Sequence, residues 1–155
     1  MFERYVGSRL GGPPSEDTRL RIKQRLTAAL ARARVWERLE KRVPAAPWTK
    51  KGDPFTFDYA YKPVVVEGKP NGHIKLVHAL SLRRDAELAK VLAYTIDRVR
   101  EKERADLTAV VAALAAPDDE VARASQEILQ ERRIALQPLA GLDEYALSVR
   151  RELAM

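Results

Sequence analysis

Asp58 and His78 are the two side chains whose type and placement suit chemistry. They lie in the stretches F-T-F-D-Y-A-Y at 55–61 and H-I-K-L-V-H-A-L-S-L at 73–82. Alternation and aromatic or β-branched content predict two adjacent strands there. An aspartate and a histidine on neighbouring strands can hold a hard divalent cation together with backbone carbonyls, and such a cation activates water. Glu67, Asp85 and Lys75 are the residues that could complete that site. The same pair also suits a structural role. A carboxylate can be hydrogen-bonded against a helix N-terminus or an arginine, and an imidazole can be satisfied within an apolar face. On the second strand that face is Ile74, Leu76, His78, Leu80 and Leu82. His73, beside Asn71-Gly72, reads as a turn residue. It does not share a strand face with His78.

Several chemistries are excluded. The chain has no cysteine, so disulfides, thiolate zinc sites and cysteine nucleophiles are ruled out. No glycine-rich phosphate loop follows a strand, because Gly11-Gly12 runs straight into Pro13-Pro14. None of the serines sits in a nucleophile-elbow context. No apolar run approaches the ~20 residues that cross a bilayer. The first ten residues have no continuous apolar leader. A cytoplasmic protein is the expectation, with no membrane partner.

The net charge of +6 is unevenly distributed. Residues 1–54 carry 13 Lys and Arg against 6 Asp and Glu, and the remaining 15 cations face 16 acids. Such an excess can mark an anionic partner, or it can be a solvated helix face. If nucleic acid is the partner, Arg19, Arg25, Arg32, Lys50 and Lys51 are the residues placed to track phosphates without reading sequence.

The elements that would position these residues follow from periodicity. An extension at 1–14 precedes a basic amphipathic helix at 15–43, capped by Ser15. Its apolar stripe is Ile22, Leu26, Ala29, Leu30, Ala33, Trp36, Leu39 and Val43. Pro44 ends that helix. A connector follows, with Arg42–Ala46 as a short edge strand at most and Trp48 covering the core edge. In the first strand Phe55, Phe57, Tyr59 and Tyr61 should share one face. Residues 83–103 read as a second helix with Leu88, Val91, Leu92, Thr95, Ile96 and Val99 inward. The run L-T-A-V-V-A-A-L at 107–114 reads as a strand buried on both faces. A third helix opens near Pro117 with Val121, Ala124, Ile128 and Leu129 inward. A short strand at 134–138 and a terminal helix at 142–155 close the chain. The expectation is a single α/β domain with its sheet core at 55–140. That sheet is mixed and four- to five-stranded, flanked by helices in the order α-β-β-α-β-α-β-α.

This order resembles the PD-(D/E)XK, or restriction-endonuclease-like, fold, whose core runs α-β-β-β-α-β. Members hold a metal through an aspartate on one strand and an acid-x-Lys pair on the next. Asp58 occupies the first position here, His78 stands where the acid would be, and Leu80 where the lysine would be. The two strands also resemble a bacterial family of unknown function, found at the C-terminus of longer proteins. Its strands read like F-x-F-D-F-A-Y and L-I-Q-P-L-S-F. Phe55, Phe57, Asp58, Ala60, Tyr61, Leu80 and Ser81 match, while His78 and Ala79 depart. The resemblance implies a degenerate nuclease frame without a catalytic set or resident metal. It would serve as a binding or adaptor subunit for a protein partner or a second copy, in a bacterial or phage defence or toxin-linked setting. It leaves two alternatives: a Mg²⁺-dependent nuclease centred on Asp58, and a sequence-independent nucleic-acid binder using the first helix.

Overall fold

The computed structural model describes residues 16–64 and 71–155. The first helix, α1 (Arg19–Arg32), is capped by Thr18, whose hydroxyl accepts the Arg21 amide, so it opens three residues after the expected Ser15. It also ends about ten residues early. Arg34 adopts φ 62°. The Arg34 amide then reaches the Ala31 carbonyl at 3.0 Å and the Val35 amide reaches Leu30 at 3.1 Å. That is a complete Schellman termination, with buried Val35 lying over Leu30. The apolar spacing beyond it belongs to other structure. Trp36–Arg38 is a 3-10 turn, and Glu40–Pro44 is an edge strand, β1.

The remaining elements are β2 (Thr56–Tyr61), β3 (Ile74–Ala79), α2 (Ala86–Arg100), β4 (Ala105–Val111), α3 (Glu120–Glu131), β5 (Ala135–Pro138) and α4 (Leu142–Glu152). The five strands form one mixed open sheet in chain order. β1–β2 and β2–β3 are antiparallel, whereas β3–β4 and β4–β5 are parallel. The two parallel steps are bridged by α2 and α3, as crossover connections require. Those helices cover one face with Phe57, Leu76, Leu80 and Leu107 beneath them. α1 and α4 cover the other, over Tyr59, Tyr61, Val77 and Val110. Burying a side chain as large as Phe57 contributes roughly 1.5–3 kcal/mol. β4 supplies Leu107 and Val111 to one core and Val110 to the other, so it is buried on both faces as its composition indicates. Among the described residues no helix is long and apolar enough to cross a membrane.

Three expected faces are corrected. On α2, Val91 is exposed and Ala89 and Ala93 are buried in its stead. On α3, Val121 and Ala124 face solvent while Ala122, Ser125 and Leu129 point inward. On β2, the four aromatic side chains do not share a face. Phe55 and Phe57 join the α2/α3 core, and Tyr59 and Tyr61 join the α1/α4 core. The cause is a break in the pleat at Asp58. The β2–β3 register runs through Tyr61↔Lys75, Ala60↔Leu76 and Tyr59↔Val77. At the next step side chains replace the backbone ladder. The Asp58 amide donates to His78 Nδ1 at 3.1 Å, and the Ala79 amide donates to Asp58 Oδ2 at 2.9 Å. Across the sheet on β1, Arg42 takes φ 53°. A local distortion of this kind re-aims the side chains on either side of it.

Candidate functional site

Asp58 sits at that break, only 4% exposed. The start of α1 brings Arg19 over it. Arg19 Nη1 donates to Oδ2 at 2.8 Å and Nη2 to Oδ1 at 2.7 Å, a two-pronged pair. The same Nη1 also donates to the Ala79 carbonyl at 2.9 Å, which ties the helix to β3. One turn on, Lys23 Nζ lies 3.5 Å from Oδ1. Both carboxylate oxygens are therefore engaged by cations, and Oδ2 also accepts a backbone amide.

Burial acts to raise the Asp58 carboxyl pKa, but the Arg19 hydrogen bonds, the neighbouring positive charge and the Ala79 amide outweigh it. The group stays below the usual aspartate value. The Arg19 guanidinium is correspondingly raised by its bond to Asp58. His78 is 2% exposed. Burial drives its pKa down to about 4; Asp58 opposes that shift, and Arg19 and Lys23 add to it. At neutral pH the imidazole is uncharged. Nδ1 accepts from the Asp58 amide, which puts the ring proton on Nε2. Its ring packs against Phe55 at 5.0 Å and Phe57 at 6.3 Å between centroids.

The structure thus brings Asp58, His78 and Arg19 together as one closed network. No carboxylate lone pair of Asp58 is left facing open space. The Asp58 oxygens are occupied by the guanidinium fork, the histidine nitrogen nearest them is already an acceptor, and Leu80 is fully buried in the apolar core. Among the described residues no cluster of three or more His, Cys, Asp or Glu could hold a metal. The residues named to complete a site have other work. Asp85 Oδ2 accepts the Ser81 amide at 2.8 Å, which shapes the turn into α2. Lys75 pairs with Glu152 of α4 at 3.0 Å. Glu67 lies outside the described residues. His73 closes on Asp106 at 3.0 Å, across the β3–β4 pair.

The five cations singled out for phosphate contact do not form one surface. Arg19 is spent on Asp58. Arg25 pairs with Glu16 at 2.6 Å and Arg32 with Asp143 at 2.7 Å. Lys50 and Lys51 lie on the other side of the sheet, in the β1–β2 connection, where they line a groove beside α2 with Lys90, Val91 and Tyr94. Trp48 does cover the core edge, packing on Phe57 with its indole N–H donating to Glu103. The partnership of Asp58 with Arg19 spans 39 residues of sequence, and no motif spacing announces it. A basic residue in the first turn of an otherwise amphipathic helix was the one available hint, since the dipole disfavours a cation there unless an acid compensates.

No family model matches the chain, and no curated protein or solved structure matches it.

Proposed function

We propose that this chain is a non-catalytic binding subunit. Its nuclease-like frame uses Asp58 to fasten the first helix to the sheet, not to hold a metal. The observation that carries this reading is the complete occupation of the Asp58 carboxylate by Arg19 and the Ala79 amide. A metal-holding aspartate needs a free lone pair directed at the ion and a second hard ligand beside it. Here the neighbour is an imidazole whose Nδ1 lone pair already accepts the Asp58 amide. The frame itself is supported by element order: a helix, an antiparallel run of three strands, a helix and a strand parallel to the third. Topology alone specifies no activity.

The test is incubation of purified protein with plasmid DNA and with RNA in Mg²⁺ or Mn²⁺, alongside Asp58→Asn and Asp58→Ala. The expected result is no cleavage above buffer. Cleavage that disappears in Asp58→Asn, with the variant still folded by circular dichroism, would establish the divergent nuclease in its place.

A further inference from the structure

The groove beside α2 is built differently from the Asp58 site. One wall is the connector 45–55, the other is α2, and the space between them is about 590 Å³, within the range of ordinary binding clefts. The connector is pinned before any ligand arrives. The Thr49 hydroxyl donates to Asp53 Oδ2 and lies 3.2 Å from the Ala45 carbonyl, and Asp53 Oδ1 accepts the Phe55 amide. Trp48 and Lys102 tie the same segment to the far end of α2 through Glu103 and the Pro47 carbonyl. Such a wall loses little freedom on binding.

The groove's chemistry is also distinctive. Its floor is apolar: Val91 is 39% exposed and Tyr94 49%, on a helix whose Leu92, Ile96 and Val99 are buried and whose Leu88 is partly buried. Its rim carries three ammonium groups, Lys50, Lys51 and Lys90. Against them stand two carboxylates. Asp53 is turned into its own turn by the Thr49 and Phe55 bonds, and Glu87 is on the outer surface 3.3 Å from Lys90. The unbalanced charge at the rim is therefore positive. An anionic ligand with an apolar part is complementary to both features. A strand of nucleic acid is the poorer fit. Among the described residues Tyr94 is the only aromatic ring lining the groove, and the Arg98 guanidinium lies 5.5 Å from it, so successive bases find no stacking ladder.

We propose that this groove binds an acidic peptide segment of a partner protein, with carboxylates on Lys50 and Lys51 and one apolar side chain seated on Val91 and Tyr94. The proposal rests on the reading of the chain as a binding subunit and names the partner's chemistry. Its test is a ¹⁵N NMR titration of the full chain. The probes are short peptides of Asp and Glu around a central Leu, Phe or Trp. Lysine-for-acid peptides, all-acidic peptides and oligothymidylate serve as comparisons.

The acidic–apolar peptides are expected to shift amides at 49–53 and 87–95. Affinity should weaken about tenfold on Lys51→Glu, consistent with loss of a close charge contact, and should fall on Tyr94→Ala. Four results would overturn the proposal: no peptide shifting these amides at about millimolar concentration, shifts that map elsewhere, equal binding by all-acidic peptides, or oligothymidylate occupying the groove when peptides do not. Nuclease cleavage in the assay above would remove the binding-subunit reading without moving these amides. A silent titration would remove the peptide and leave that reading intact.

Discussion

Arg19 and Lys51 are both cations from the basic first third of the chain, and their surroundings give them opposite work. Arg19 reaches a carboxylate that is 4% exposed, and its fork, the Ala79 amide and Lys23 occupy both of its oxygens. Lys51 stands at the rim of an open groove whose own acids are turned away or already paired. In the first place charge has been consumed by the fold, and in the second it stays exposed to solvent at the rim of the groove. Sequence position and residue type are alike in the two cases. What differs is whether burial forces the charge to find an internal counterpart.

The largest effect that can break this comparison comes from removing the partner of the buried charge. Arg19→Ala leaves Asp58 enclosed with the Ala79 amide and Lys23 alone. It is expected to cost about 3–4 kcal/mol, discounted from the full buried-pair loss because the arginine is partly exposed. Urea unfolding midpoints measure it. The double variant Arg19→Leu with Asp58→Leu should recover most of that loss, because the unpaired charge and not the missing bond dominates. A single variant as stable as the native chain would mean that Asp58 is not closed, and would reopen it as a ligand for metal.

The next effect is a pH dependence, and the two buried groups separate by window. His78 is held neutral, with its pKa depressed from 6.5 to about 4. Between those values the unfolded chain binds the proton and the folded chain does not. Stability is therefore full above about pH 6.5 and falls as pH drops toward 4. From pH 7 to 4.5 the expected loss is about 2–3 kcal/mol, read from urea midpoints at each pH. Asp58, whose carboxyl lies below its ordinary value of 3.8, contributes stability that is lost only as pH falls beneath that range. His78→Gln keeps an acceptor for the Asp58 amide and removes the titration, so its profile should be flatter across the upper window. An unchanged slope in that variant would assign the acid sensitivity to other groups.

These measurements concern a site that the sequence exposes only in part. The β2–β3 pair, the doubly buried β4 and the terminal helix were legible because apolar alternation and continuous apolar runs carry their own period. The end of α1 was not. A Schellman turn is usually announced by glycine, and here Arg34 holds the left-handed position. The same device closes α3 at Arg133 and α4 at Ala154, each with its paired backbone bonds. The edge strand E-K-R-V-P was legible only in its second half, as 42–46, because its charged first residues guard an edge and mimic the polar face of the helix before it. The split of the four aromatic side chains on β2 followed from hydrogen bonds made by Asp58 and His78, which strand periodicity does not register. For the candidate site, Asp58 and His78 stood out by type, but the arginine that decides their role is 39 residues away. The groove drew on residues from two segments whose proximity only the packed fold establishes.

The smallest effect sharpens the comparison from the other side. Arg32 makes a hydrogen-bonded ion pair with Asp143 at 2.7 Å, linking α1 to α4, and by distance alone it rivals the pair at Asp58. Its side chains are 61% and 70% exposed, so water screens the attraction and solvates either partner when the other is removed. Arg32→Ala is therefore expected to change stability by less than about 1 kcal/mol. The residual difference should shrink further as salt is raised to about 1 M, where the screening length falls to roughly 3 Å. Arg19→Ala should keep most of its cost under the same salt, since its carboxylate is shielded from ions. Equal salt sensitivity in the two variants would show that enclosure does not distinguish the pairs, and that the Asp58 carboxylate is reachable from solvent after all.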